Sequence, residues 1–186
     1  MRTPFVLAPA LVTAYGLIRL LDGLDGARGP GALWTLGHLA FLAALALFVP
    51  VFLAMRSALG RTTAATVTVV VGFAGIAAAA AQFVIDIVVG LTAADKAEMS
   101  ALFDQVQSVP GVVPVVYAFG PILFYLALLA LAVQLAVARR VPVWSPVAVA
   151  VSVALPIVSL DLLPLAGILM LVAFVPFVRE RRFAAA

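Results

Sequence analysis

The chain has no cysteine, and its 186 residues include one histidine, His38, and one lysine, Lys96. The absent thiols exclude disulfides, thiolate metal sites and cysteine nucleophiles, and they leave the redox compartment unread. A lone histidine excludes an HExxH zinc motif and a bis-histidine haem. Charge is scarce: Asp, Glu, Lys and Arg make up 10% of the residues, against about 25% in an ordinary soluble domain. No Ser/His/Asp arrangement, phosphate-binding glycine loop or EF-hand spacing is present, so neither a metal nor a cofactor is expected. No internal repeat is visible. Aromatic residues amount to 9%, which leaves Ala and Val to fill most of the interior.

What is present is apolar length. Hydrophobic residues make up 66% of the chain, in runs of the roughly 17 to 25 residues that cross a bilayer as a helix. Backbone groups in lipid must be satisfied within the segment, so helices fit these runs and open sheets do not. The fold class read from this is an all-α integral membrane protein. It is a single polytopic domain over 1–186, a compact bundle of about six transmembrane helices. The spans are approximately 4–21, 33–55, 65–91, 114–138, 143–160 and 164–178. Pro156 and Pro164 interrupt the last two. The first run lacks a small-residue cleavage site and closes on Arg19 and Asp22, so it reads as a retained membrane helix.

The charges sort by side. With a cytoplasmic N-terminus, Arg2, Arg56, Arg61, Arg139, Arg140, Arg179, Arg181 and Arg182 fall inside, and only Arg19, Arg28 and Lys96 fall outside. Lys/Arg bias sets orientation, so the reading is N-in, C-in. The acids segregate the other way: Asp22, Asp25, Asp95, Glu98, Asp104 and Asp161 lie outside and Glu180 inside. Arginine over lysine in an Ala/Val-rich chain points to a high-GC bacterial genome, hence a multi-pass protein of the bacterial cytoplasmic membrane. The basic excess is then a topology signal, and no nucleic-acid partner is expected. The long external loop carries Met99, Leu102, Phe103 and Val106 on one helical face. It predicts a short amphipathic helix over about 93–107, with Thr92 and Asp95 as its capping pair.

The third span holds the most informative residues. Ala65, Thr68, Gly72, Gly75, Ala79, Gln82 and Asp86 recur every three or four positions and form one stripe, with Val69, Phe73, Ile76, Phe83 and Ile87 off it. Small residues let helix backbones approach in lipid, so the stripe should face other helices and carry Gln82 and Asp86 inward. An intramembrane carboxylate is by default a functional candidate. Its company at the same level is Tyr15, Arg19 and Asp22 on the first helix, Asp25 and Arg28 in the following loop, Trp34 and His38 on the second, Tyr117 before the fourth, and Asp161 after the fifth. Arg19 is expected to pair Asp22 or snorkel, and Tyr15, Trp34 and Tyr117 fit an interfacial aromatic belt. Pro50, Pro121, Pro156 and Pro176 kink helices and favour a pocket.

Three functions fit these residues. The first is a structural or accessory membrane protein in which the polar cluster is helix glue, alone, as a homo-oligomer or with a membrane partner. The second is a small transporter or ligand-binding protein with an outward acidic vestibule. It would hold a small hydrophobic or cationic ligand through Gln82, Asp86, Arg19, Asp25, Tyr15, Trp34 and Tyr117. Neither is an enzyme. The third is a membrane-embedded acid–base enzyme of cyclase or isomerase type acting on a lipid or isoprenoid, with Asp86 as acid and Asp22, His38 or Asp161 as its catalytic partner.

Overall fold

The structure is a computed structural model, and it describes residues 2–24, 26 and 28–179. Most of those residues are helical, with no strand among them. Helix occupies each expected apolar run: α1 Thr3–Asp22, α2 Ala32–Ala58, α3 Thr63–Thr92, α5 Gly120–Val137, α6 Trp144–Val158 and α7 Leu163–Arg179, with the short α4 Lys96–Gln107 between α3 and α5. Five segments are long and apolar enough to cross a membrane. The exception is α6, whose 15 residues rise about 22 Å, short of the roughly 30 Å of a hydrocarbon core.

Around the bundle the order is α5, α3, α2, α1, α7, α6, and the ring closes where α6 returns to α5. That last seam is the loosest between neighbours, and α2 also reaches α5 across the middle. Phe5, near the start of α1, stacks 5.2 Å from Phe177 near the end of α7 and meets Phe174 edge-on. The described chain therefore begins and ends at the same end of the bundle. Arg56, Arg61, Arg139 and Arg140 lie in the loops there, while Asp22, Arg28, Asp95, Glu98, Asp104 and Asp161 lie at the other, acidic end.

The two halves pack differently. At the arginine end Phe48, Phe52, Met55, Leu128, Leu131 and Leu135 are fully buried. Gln134 Nε2 donates to Thr68 Oγ1 at 3.0 Å, tying α5 to α3. Close approach depends on glycine: a Cβ at Gly75 would overlap the Phe124 backbone, and one at Gly16 would overlap Pro164 at the start of α7. The stripe on α3 faces inward as its spacing requires, but the buried face is broader. Val69, Ile76 and Phe83 are buried with it, because α2 and α5 pack on two sides of α3.

At the acidic end α4 lies over the bundle. Met99 is buried against Val89 and Ala93, and Leu102, Phe103 and Val106 pack on the same patch. Its cap is Asp95 with Glu98, not Thr92 with Asp95. The Glu98 amide donates to Asp95 Oδ1 at 2.9 Å, and Glu98 Oε2 accepts from the Ala94 amide at 2.7 Å. Thr92 still belongs to α3, where its hydroxyl bonds the Val88 carbonyl.

Before α5 the chain runs as a π-helical segment, Val112–Phe119. The cause is local. Pro121 has no N–H, so the Tyr117 carbonyl has no partner four residues on. The wider turn takes over, and the Gly120 amide bonds Val115. Such wide turns often stand at functional sites, and this one aims Tyr117 into the bundle.

Candidate functional site

His38 fixes the chemistry of the site. Its Nδ1 lies 2.7 Å from the Trp34 carbonyl one turn earlier on α2. A carbonyl only accepts, so Nδ1 carries a proton. In a neutral ring Nε2 is then a lone pair, and it faces Asp86 Oδ2 at 3.6 Å. At that distance the two side chains make a close polar contact, longer than a hydrogen bond. Both residues are buried, at 5% and 7% exposure.

Asp86 is held from two more directions. Tyr117 Oη donates to Asp86 Oδ1 at 3.0 Å, and Trp34 Nε1 donates to the Asp86 backbone carbonyl at 2.8 Å. Gly90, one turn along α3, leaves the space the indole fills: a Cβ there would overlap the Trp34 ring. Trp34 lies over the His38 ring at 4.2 Å, and Tyr15 and Phe83 flank the imidazole at 5.6 and 5.3 Å. Phe41 and Phe83 stack at 4.3 Å and extend this wall inward.

Beside this cluster lies a cavity of about 300 Å3, lined by Tyr15, Gln82, Tyr117 and Tyr125 among aromatic and proline side chains. Tyr117, Pro121, Tyr125 and Pro156 also line a second space of about 400 Å3 between α5 and α6. The two share those four walls, and the second lies at the loose seam of the ring. No hydrogen bond holds the side chains of Gln82 and Tyr125 among the described residues. Two polar groups thus face an apolar cavity unpaired. On the other side of His38 a cleft with room for about one water is lined by Tyr15, Arg19, Asp22 and Trp34.

The remaining sequence candidates gather elsewhere. Arg28 Nη2 donates to Asp161 Oδ1 at 2.6 Å, and its Nε donates to the Arg19 carbonyl. Arg19 Nε lies 3.8 Å from Asp161 and has no hydrogen bond. Arg19 thus turns toward Asp161 as well as lining the cleft with Asp22. Asp161 is half-exposed and ties the α6–α7 turn to the first loop, away from Asp86. Asp25 lies outside the described residues. Of the three aromatics, Tyr15 is buried at 8% exposure, and Trp34 and Tyr117, both half-buried, are bonded to Asp86. Sequence reasoning missed Tyr125, Phe41, Phe83 and Phe124 as cavity walls. The available signal was Tyr117 and Tyr125 spaced eight apart around Pro121.

No group of three or more His, Asp or Glu that could hold a metal ion occurs among the described residues. No family model matches the chain, and neither the curated proteins nor the solved structures include a significant match.

Proposed function

We propose that the chain is a multi-pass membrane protein of the ligand-binding or small-transporter kind. Its termini are cytoplasmic, all six apolar helices cross, the short α6 included, and a small, largely apolar molecule occupies the acidic-end cavity. The observation that carries this is the cavity itself: aromatic walls and two unpaired polar groups, beside a second space at the loosely packed α5–α6 seam. Pockets that take small molecules combine an apolar lining with a few placed polar groups. Here Tyr117 presents the His38–Asp86 pair at the wall.

The reading of the cluster as helix glue draws on the fact that Asp86, His38 and Trp34 satisfy one another without a ligand. It leaves Gln82 and Tyr125 unexplained. The enzyme reading, with Asp86 as acid and Asp22, His38 or Asp161 as its partner, draws on the 3.6 Å approach of His38 to Asp86, but none of the four residues lines the cavity.

Photolabelling tests the choice. A lipid-soluble diazirine probe in proteoliposomes should mark Tyr117, Tyr125 and Gln82. Ala79→Trp, which fills the cavity from α3, should remove those marks while leaving label on lipid-facing Val84. Labelling of lipid-facing positions alone, unchanged by Ala79→Trp, would return the cluster to a purely structural role.

A further inference from the structure

The cavity reading leaves the chemistry of the occupant open, and the walls of the two spaces narrow it. Among the described residues, no Asp, Glu, Lys, Arg or His lines either space. An ion placed there would meet no counter-charge at the wall, and an unpaired charge in an apolar site is costly. The occupant that suits these walls is neutral.

Its polar part follows from the hydrogen bonds left unmade. Gln82 and Tyr125 line the first space without a partner among the described residues. Gln82 therefore keeps its amide N–H donors and Tyr125 its O–H. Tyr117 donates its own proton to Asp86 and offers the cavity lone pairs only. A buried N–H without an acceptor is rarer in proteins than a carbonyl with a spare lone pair. What the cavity lacks is an acceptor that brings no donor with it, which describes a carbonyl oxygen and not a hydroxyl.

Its apolar part follows from the kind of wall in each space. Tyr15, Phe41, Phe83, Phe124 and Tyr125 line the first, and the three phenylalanines are buried. Aromatic rings pack well against a further ring, offset or edge-on, so a flat ring suits this space. The second space has aliphatic walls in Ile122, Leu126, Val153 and Ile157. Ile122, Leu126 and Ile157 are also exposed on the bundle surface, where the membrane reading puts lipid. Tyr117, Pro121, Tyr125 and Pro156 wall both spaces and set them side by side. A ring in the one and a hydrocarbon chain in the other make a single amphiphile.

We infer that the cavity binds a neutral lipid with a carbonyl-bearing ring as head, of the quinone kind, on an aliphatic tail. Gln82 from α3 and Tyr125 from α5 donate to the head, and the tail lies along the α5–α6 seam. The inference rests on the ligand-cavity reading. It concerns binding alone, and no bond forms or breaks.

Equilibrium binding to the full-length protein in detergent tests it, with a geranyl-tailed methylnaphthoquinone as probe. Three analogues keep the fused ring and the tail: the carbonyl-free naphthalene, the naphthol and a naphthyl ammonium. The quinone should bind tightest. Gln82→Leu and Tyr125→Phe should each weaken it about two- to tenfold, the worth of one neutral hydrogen bond, and leave the naphthalene unchanged. The quinone should also erase the diazirine marks at Gln82, Tyr117 and Tyr125, a readout that needs no variant. If the naphthalene binds as tightly and erases the same marks, the carbonyl head is overturned and the cavity reading stands. Tighter binding of the naphthol or the ammonium overturns the head in the same way. If no member of the series erases the marks and Ala79→Trp changes no affinity, the cavity reading fails and the lipid inference fails with it.

Discussion

Tyr117 shows how one hydroxyl connects two functions. Its bond to Asp86 closes the packing between the π-helical segment and α3, and the same side chain lines the cavity. Tyr117→Phe keeps the ring and removes the donor. Leaving a buried acceptor without its donor costs about 1 to 3 kcal/mol, so the variant should lose stability of that order, seen as unfolding at a lower temperature in detergent. Phe at position 117 with wild-type stability would show that Asp86 finds another donor, and Tyr117 would lose its place in the site. The inward direction of Asp86 was legible, because residues spaced three or four apart on α3 share one side. Its partners were not. His38 and Tyr117 come from other helices, and periodicity within one helix carries no record of which neighbour faces it. Tyr15, Trp34 and Tyr117 looked interfacial because an aromatic near a span end fits either a lipid belt or a buried wall.

At the scale of elements, glycine positions set the spacing on which the cavity depends. Gly75 brings α3 against the Phe124 backbone of α5, and α5 carries Tyr125. Gly75→Ala forces the two helices apart and should cost at least about 1 to 3 kcal/mol, as overpacking does. Val70→Ala on the exposed side of α3 is the control and should change stability little. Equal loss in both variants, measured as thermal unfolding in one detergent, would remove close packing as the reason for the glycine. The exposed valine at 70 is needed because Val69, which lies off the small-residue stripe, is itself buried. Element existence was readable from apolar length, and the buried face of α4 from its periodicity. The short α6, the Asp95–Glu98 cap and the π-helical turn were not. Each follows from a local hydrogen-bond choice, such as the donor that Pro121 lacks.

For the whole molecule, three things meet at one end of the bundle: the acidic loops, the buried His38–Asp86 contact and the cavity. That arrangement serves a ligand arriving from outside or from the outer leaflet only if the bundle crosses the membrane with the acidic end outward. The absence of cysteine makes this directly measurable, since single-cysteine variants label without background. Ala101→Cys on α4, Leu160→Cys between α6 and α7, and Ala138→Cys between α5 and α6 all occupy exposed positions. Treated with an impermeant maleimide, the first two should react on intact cells, and Ala138→Cys only after permeabilisation. Reaction at 138 on intact cells without reaction at 101 would place the acidic end inside, and Leu160→Cys behaving like Ala138→Cys would mean that the short α6 does not cross.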